Sequence, residues 1–209
     1  MKRAIIFIAA MMLTMITASA KKVTVTIDGT VYRTQEKIYL IVDEDTANAV
    51  VVPVQNGQFT VTTTVDANSI IRLHETKEWP ERAGFVIIPD SKHITINTWD
   101  GTIKGSPMSL KMREAIDKVS RKGPNGFHID VFSDNQEEWA RAREQERRIR
   151  AQMEDEQRKE VLETIKENSD NAIASWIAYC YADIFSGGLD EIARGQHPKW
   201  RNHPIFKVK

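Results

Sequence analysis

Cys180 is the one cysteine of the 209-residue chain, and its thiol is the first side chain to consider for redox or nucleophilic chemistry. Because no second cysteine lies two or three positions away, the chain alone cannot carry out dithiol–disulfide exchange. Cys180 falls on the apolar stripe of a predicted helix, where a thiol behaves as a small hydrophobic side chain. We expect it to pack in the core; the alternative is a reactive or intermolecular thiol.

The histidines lack the spacing of a metal site. None of them forms H-x-x-x-H or H-E-x-x-H, which would place two ligands on one helix face. They are His74, His93, His128, His197 and His203. The last two each precede a proline, which disfavours helix and predicts an irregular tail. The sequence also contains no G-x-S-x-G motif and no phosphate-binding loop, so we predict no catalytic residue, no metal and no cofactor.

Tryptophans are the remaining candidates for ligand contact. We expect Trp79, Trp99 and Trp200 to be partly exposed, and Trp79 lies in a predicted loop over residues 75–82. An exposed tryptophan on a β-rich loop could stack on a sugar ring or anchor a peptide, and Trp79 and Trp99 are the candidate contacts. The alternative is that each covers the edge of a core.

Three carboxylates flank the Trp79 loop: Glu75, Glu78 and Glu81. Their separation in space decides whether they could act as a general acid and base, and the sequence does not give it. An enzyme whose site forms only in the fold, from two converging carboxylates or a His–carboxylate pair, is therefore a third, weaker alternative.

The first twenty residues have the pattern of a secretory signal peptide. Lys2 and Arg3 precede an apolar run over residues 4–16, and Ala18-Ser19-Ala20 resembles a cleavage site. The run is too short for a membrane span of about 20 residues. We therefore predict a soluble periplasmic or secreted protein that is cleaved near Ala20.

The charge of the predicted mature chain is close to neutral. The full sequence has 29 Lys+Arg and 29 Asp+Glu, and removing Lys2 and Arg3 leaves 27 basic against 29 acidic residues. This balance provides no electrostatic attraction to nucleic acid or to anionic lipid. We expect neither as a partner, and no membrane span in the mature chain.

The two halves of the chain have different periodicities. Residues 21–106 alternate apolar and polar side chains in seven or eight short runs, which predicts a domain resembling an antiparallel β-sandwich. Asp28-Gly29 predicts a turn after the first strand, and Asn56-Gly57 predicts a hairpin, because both of its residues tolerate positive φ. Residues 107–209 predict a helical region, so the fold class is α+β.

The helical region begins with Ser106-Pro107, an N-cap followed by proline at the first helical position. Residues 133–136 predict a capping box for a long helix. Over residues 137–167 this helix has many Glu–Arg pairs at i,i+4, which is typical of a helix facing solvent. The alternative, a coiled coil, requires an apolar seam, and glutamates interrupt it. We expect Val161, Leu162 and Ile165 to pack on the rest of the protein. A further helix is predicted over residues 171–185.

Several segments resemble a known family. They are residues 23–30, 37–40, 52–59, 85–89 and 103–109, and more loosely residues 167–174 and 203–206. Together they resemble the β-rich domain of unknown function that precedes a thioredoxin-like (AhpC/TSA-type) domain in secreted thiol–disulfide oxidoreductases of Gram-negative anaerobes. The family's W-C-x-x-C motif has no counterpart in this sequence, so the resemblance implies no catalytic residue.

These observations favour a secreted, non-catalytic accessory or binding module. The resemblance implies a role beside a separate thioredoxin-like protein of the cell envelope. The alternative is a glycan- or peptide-binding β-sandwich protein that uses Trp79 or Trp99. This alternative requires a loop or face of the β-rich half that presents those side chains.

Overall fold

The computed structural model describes residues 21–32, 34–75, 84–194 and 199–207. Eight strands come first: β1 (Lys22–Thr30), β2 (Lys37–Val42), β3 (Val50–Pro53), β4 (Gln58–Asp66), β5 (Ile71–His74), β6 (Phe85–Ile87), β7 (His93–Asn97) and β8 (Thr102–Lys104). Four helices follow: α1 (Pro107–Ser120), α2 (Gln136–Glu167), α3 (Ala172–Tyr181) and α4 (Gly188–Ala193). The protein is therefore mixed α+β.

The strands form two four-stranded sheets, in the orders β4-β1-β7-β8 and β3-β2-β5-β6. Apolar side chains from both sheets make one core cluster that includes Ile27, Leu40, Phe59 and Ile94. The pairing is antiparallel except between β1 and β7, which run parallel. The prediction of a purely antiparallel fold is wrong at this pair, because strands so far apart in sequence leave no periodicity that gives their direction.

The predicted turn at Asp28-Gly29 is also wrong. β1 continues through Gly29 to Thr30, because Gly29 lies opposite Phe59 of β4 and Ile96 of β7. A Cβ built on Gly29 would lie 2.2 Å from the Phe59 ring, so the glycine serves close strand packing rather than a turn. The turn at Asn56-Gly57 is confirmed: both residues have positive φ, 54° and 77°, and Gln55 bridges Gln58 across it. The predicted hairpin does not extend beyond this bridge, because β3 pairs with β2 in one sheet and β4 pairs with β1 in the other.

Helix α1 begins as predicted, with the Ser106 side chain accepting a hydrogen bond from the Ser109 backbone N–H at 3.1 Å. Both serines are buried and contact the backbone of Ile88, which follows β6: Ser106 Oγ donates to the Ile88 carbonyl, and the Ile88 N–H donates to Ser109 Oγ. The start of α1 is thereby fixed to the second sheet.

The predicted capping box at α2 is wrong, because the N-cap is Asn135, whose side chain accepts from the Glu137 N–H at 2.9 Å. Val161 and Ile165 near the end of α2 are buried, and Leu162 is partly buried against them, as predicted. They share a second core cluster with α1, α3 and α4, which also includes Ile70 and Ile88 from the β-rich half. The two halves of the chain therefore meet at the ends of β5 and β6.

Candidate functional site

Trp99 is exposed, as predicted, and it is one of two stacked aromatic residues. Its ring stacks on Tyr32 with centroids 4.7 Å apart and an interplanar angle of 22°. Tyr32 and Trp99 are 56% and 57% exposed, so solvent reaches both rings of the pair. We call these two residues the aromatic pair. Two large exposed aromatic side chains in contact form the kind of apolar surface patch that marks a binding site.

The parallel strands β1 and β7 bring the aromatic pair together. Thr30 lies opposite Asn97 at the ends of the two strands, and each aromatic residue follows two positions later in its own chain segment. The Thr98 N–H and hydroxyl both donate to the Thr30 carbonyl, at 3.1 and 3.0 Å. The two segments therefore leave the sheet side by side, which places one ring over the other.

The turn that carries Trp99 is held by its own polar groups. Asn97 Oδ1 accepts from the Trp99 N–H at 3.0 Å, and Asp100 Oδ1 accepts from the Thr102 N–H at 2.8 Å. Hydrogen bonds from the side chain and backbone of Thr102 hold the pKa of Asp100 below its ordinary value. Asp100 is thus an ionised hydrogen-bond acceptor one residue from the exposed indole.

Arg113 of α1 supports the same turn from the helical half. Its guanidinium donates to the Gly101 carbonyl and occupies the space beside the Gly101 Cα, where a Cβ would lie 2.5 Å from an Arg113 nitrogen. Gly101 has a φ of 71°, which favours glycine. The turn is therefore fixed from both sides, and Trp99 is presented without the need to order a loop on binding.

A cleft of about 300 Å³ lies beside the aromatic pair. Its lining combines apolar and polar residues: Val31, Ile38, Leu73, His74, Glu75, Gly84, Phe85 and Thr98. Val31 and Thr98 are the chain neighbours of Tyr32 and Trp99. The cleft lies at the low end of the volume range of small-ligand pockets.

Trp79, Glu78 and Glu81 lie outside the described residues. Glu75 is exposed at the end of the described segment before them. The structure therefore brings Trp99 to a candidate site, while the contribution of Trp79 stays a prediction. Tyr32 is the site residue that the sequence analysis missed, and its position two residues after β1 matches that of Trp99 after β7.

A second polar cluster joins the tail to the β-rich half. His203 was predicted to lie in an irregular tail, and its side chain is buried. Its Nδ1 accepts a hydrogen bond from the Ile205 N–H. The proton is therefore on Nε2, which donates to the Asn68 carbonyl at 2.6 Å. The same Nε2 lies 3.8 Å from Asp43 Oδ1. Asp43 accepts from the Ser69 hydroxyl and from the Ile70 N–H.

Burial raises the pKa of Asp43, and its hydrogen bonds and the nearby imidazole oppose that shift. Each polar group of this cluster has a partner within the protein, so the arrangement reads as a structural connection. The serine donates to the aspartate and not to the histidine, which is not the order of a nucleophile and its base.

The other candidates of the sequence analysis have structural positions. Cys180 is buried in the helical core, as predicted. Trp200 was expected to be partly exposed, and this is wrong: it is buried, and its ring meets Phe206 edge-on. Among the described residues, no group of three or more His, Cys, Asp or Glu side chains is placed to hold a metal ion.

The long helix α2 forms three of the ion pairs expected from the i,i+4 spacing; at Glu137–Arg141 the guanidinium instead donates to the Glu137 carbonyl. Glu144–Arg148, Glu146–Arg150 and Glu154–Arg158 form at 3.0, 2.9 and 3.6 Å. Such exposed pairs contribute little individually. In the described part of the chain, no helix has the length and apolar character needed to cross a bilayer.

Comparison of the chain with protein-family models, with curated proteins and with solved structures finds no match. The resemblance to the thioredoxin-associated domain therefore stays a prediction from the sequence. The geometry of the aromatic pair is the observation from which a function can be argued.

Proposed function

We propose that this protein is a non-catalytic glycan-binding module that holds a sugar ring against the aromatic pair. The observation that carries the proposal is the exposed stack of Tyr32 on Trp99, at 4.7 Å between ring centroids. A pyranose ring has one face rich in C–H groups, and this face packs on the flat π-surface of an aromatic ring. The outer face of each ring of the pair offers such a surface.

Polar groups near the pair complement the hydroxyls of a sugar. The Asp100 carboxylate is exposed and ionised. Its oxygens accept from Thr102 and from the Asn97 amide, and a carboxylate, which accepts up to four hydrogen bonds, retains capacity for a sugar hydroxyl. Thr98 and His74 line the neighbouring cleft, and the Thr98 hydroxyl, which donates to the Thr30 carbonyl, can still accept a hydrogen bond. An exposed aromatic surface with polar groups around it matches a sugar, which has an apolar face of C–H groups and hydroxyls at its edge.

Two further proposals concern architecture and location. We infer that the two sheets pack as a β-sandwich, which the core cluster shared by β1, β2, β4 and β7 supports. We also infer that the protein is exported to the periplasm or beyond after cleavage near Ala20, which the pattern of the first twenty residues supports. Mass spectrometry of the protein recovered from the producing cell tests the second proposal: an N-terminus near Lys21 is expected, and an intact Met1 would refute it.

The accessory role beside a thioredoxin-like envelope protein is a separate proposal. Its support is the resemblance, together with the presence of one cysteine, Cys180, which obliges any dithiol chemistry to come from a partner. Crosslinking in the producing cell followed by mass spectrometry tests it. Recovery of a thioredoxin-like protein would support it, and reduction of insulin disulfides by this protein alone would overturn its non-catalytic part.

The experiment for the glycan proposal is affinity electrophoresis through gels that contain soluble neutral polysaccharides such as laminarin, xyloglucan or mannan. We expect one of them to retard the wild type, and Trp99→Ala to abolish the retardation. Trp139→Ala is the matched control, because Trp139 is also a partly exposed tryptophan but lies on α2, far along the chain from the pair. Migration that no polysaccharide changes, or equal loss in both variants, would refute the proposal.

A further inference from the structure

Among the residues that the structure describes, the edge of β4 differs from the other three sheet edges. The three other edge strands, β3, β6 and β8, have three or four residues each, and β3 ends in Pro53. β4 has nine residues. Natural proteins keep exposed edge strands short, charged or interrupted by proline, because a long regular edge pairs with other chains. β4 has none of these protections until it reaches Asp66.

The composition of β4 is suited to further pairing. From Gln58 to Val65 it contains no charged residue, no proline and no glycine, and the six residues from Thr60 to Val65 are all Val or Thr. Such β-branched residues favour strands. Pairing with β1 uses the N–H and C=O groups of alternate residues, so those of the residues between them point away from β1. In the part of the chain that the structure describes, β1 is the one strand that forms a ladder with β4. β3 meets β4 at the Gln55–Gln58 bridge, and the loop after β2 lines a groove beside the last four residues of β4.

We propose that two copies of this chain associate through antiparallel pairing of β4 with β4, about a two-fold axis at Thr62. This register places Thr60 opposite Thr64 of the other copy and Val61 opposite Thr63. At the ends, Gln58 lies opposite Asp66. No two like charges face each other in this register. Each contact occurs twice, once from each copy, as a two-fold interface requires. The product is one eight-stranded sheet across both copies.

The outer face of the first sheet supports a second copy as the occupant. Thr24 and Thr26 of β1 pair their hydroxyls with Thr64 and Thr62 of β4, each at 2.9 Å, so the face beside the edge is a flat row of threonines. In the proposed register this row continues into the same row of the other copy. Cross-strand Thr–Thr contacts of this kind stabilise sheets.

A groove of about 400 Å³ lies along the last residues of β4, from Thr63 to Asp66, and is also lined by Asp45 and Asn48. In the proposed register, the Gln55–Gln58 turn of each copy reaches this end of the other copy's β4. The groove therefore offers space and polar partners for the amide side chains of that turn. This complementarity favours a second copy over an unrelated extended segment.

The test is the mass of the full chain, expressed with its own N-terminal segment, by sedimentation from micromolar to millimolar concentration. We expect a monomer–dimer equilibrium. Thr62→Lys sets two ammonium groups side by side on the axis and should weaken the dimer roughly tenfold or more. Thr24→Lys is the matched control: it also removes one Thr–Thr hydroxyl pair from the same face, but one strand away from the edge, and should leave the dimer intact.

The register has its own test. Residues directly opposite in an antiparallel pair have Cα atoms about 4.5–5.5 Å apart, which allows a disulfide. We expect Thr62→Cys to give an oxidised, covalent dimer and Thr24→Cys to give none, with Cys180 buried in both. A monomer at every concentration, a dimer that Thr62→Lys leaves intact, or covalent trapping at position 24 rather than 62 would each overturn the proposal. Far-ultraviolet circular dichroism checks that each variant folds.

Discussion

Replacing Trp99 by alanine tests whether the contacts of the Trp99 ring contribute to the stability of the fold. Trp99 is 57% exposed, so about two-fifths of it is covered. A fully buried tryptophan covers about 200 Å², which at ~25 cal/mol per Å² makes the covered part worth about 2 kcal/mol. We therefore expect Trp99→Ala to lower the free energy of unfolding by about 2 kcal/mol, or Tm by about 4–8 °C for a protein of this size.

The contribution of the stack itself comes from a double-mutant cycle. Tyr32→Ala, Trp99→Ala and the double variant are unfolded in urea and followed by circular dichroism. Aromatic pairs in this geometry contribute about 0.5–1.5 kcal/mol beyond their area, so the two substitutions should be non-additive by that amount. Additive losses would mean that the rings do not stack in solution, and the argument for a fixed sugar-binding surface would fail.

Three further predictions follow from the supporting structure. Ser106→Ala removes the α1 cap and a buried hydrogen bond to the Ile88 carbonyl, and should cost about 1–2 kcal/mol in urea unfolding; no change would contradict the capping role. Burial raises the pKa of Asp43, so its protonated form contributes stability that is fully present below the ordinary pKa of 3.8 and is lost as pH rises through the folded pKa. Asp43→Asn should flatten this part of the curve of unfolding free energy against pH. An unchanged curve would contradict the prediction. Ile165→Ala should cost about 2–5 kcal/mol, and Ile149→Ala, half-buried on the other half of α2, less than half as much; equal losses would show that α2 is not anchored at its end.

Local chemistry explains what the sequence predicted well. The Asn56-Gly57 turn depends on the backbone preferences of two adjacent residues, and both have the positive φ that was expected. The start of α1 depends on one serine and the proline that follows it. The burial of Val161 and Ile165 follows from the helical period. None of these predictions requires knowledge of which distant segments meet.

Only one residue of the aromatic pair could be predicted from the sequence. Trp99 was a candidate because of its residue type, but its partner Tyr32 lies 67 positions earlier and reaches it through the parallel pairing of β1 with β7. That pairing also makes Gly29 a site of close packing rather than a turn. Parallel strands that are far apart in sequence carry no local pattern that reveals their register.

The tail shows the same limit in the helical half. Proline after His203 predicted an irregular tail, and the structure has two short 3-10 helices there, Lys199–Asn202 and Pro204–Phe206. The burial of Trp200 and His203 depends on contacts with α3 and with the loop before β5. Ser175 of α3 donates to the Trp200 carbonyl at 3.1 Å. Such contacts are tertiary, and a single tryptophan or histidine in a polar segment does not indicate them.

The most direct test of the glycan-binding account is a titration of the tryptophan indole N–H resonances of the isotope-labelled protein with the polysaccharide that retards it. The account predicts a saturable shift of the Trp99 resonance, assigned from Trp99→Phe, while the resonance of Trp139, which lies on α2 and is not part of the aromatic pair, stays unchanged. Saturable binding that moves another tryptophan and leaves Trp99 in place would contradict the account.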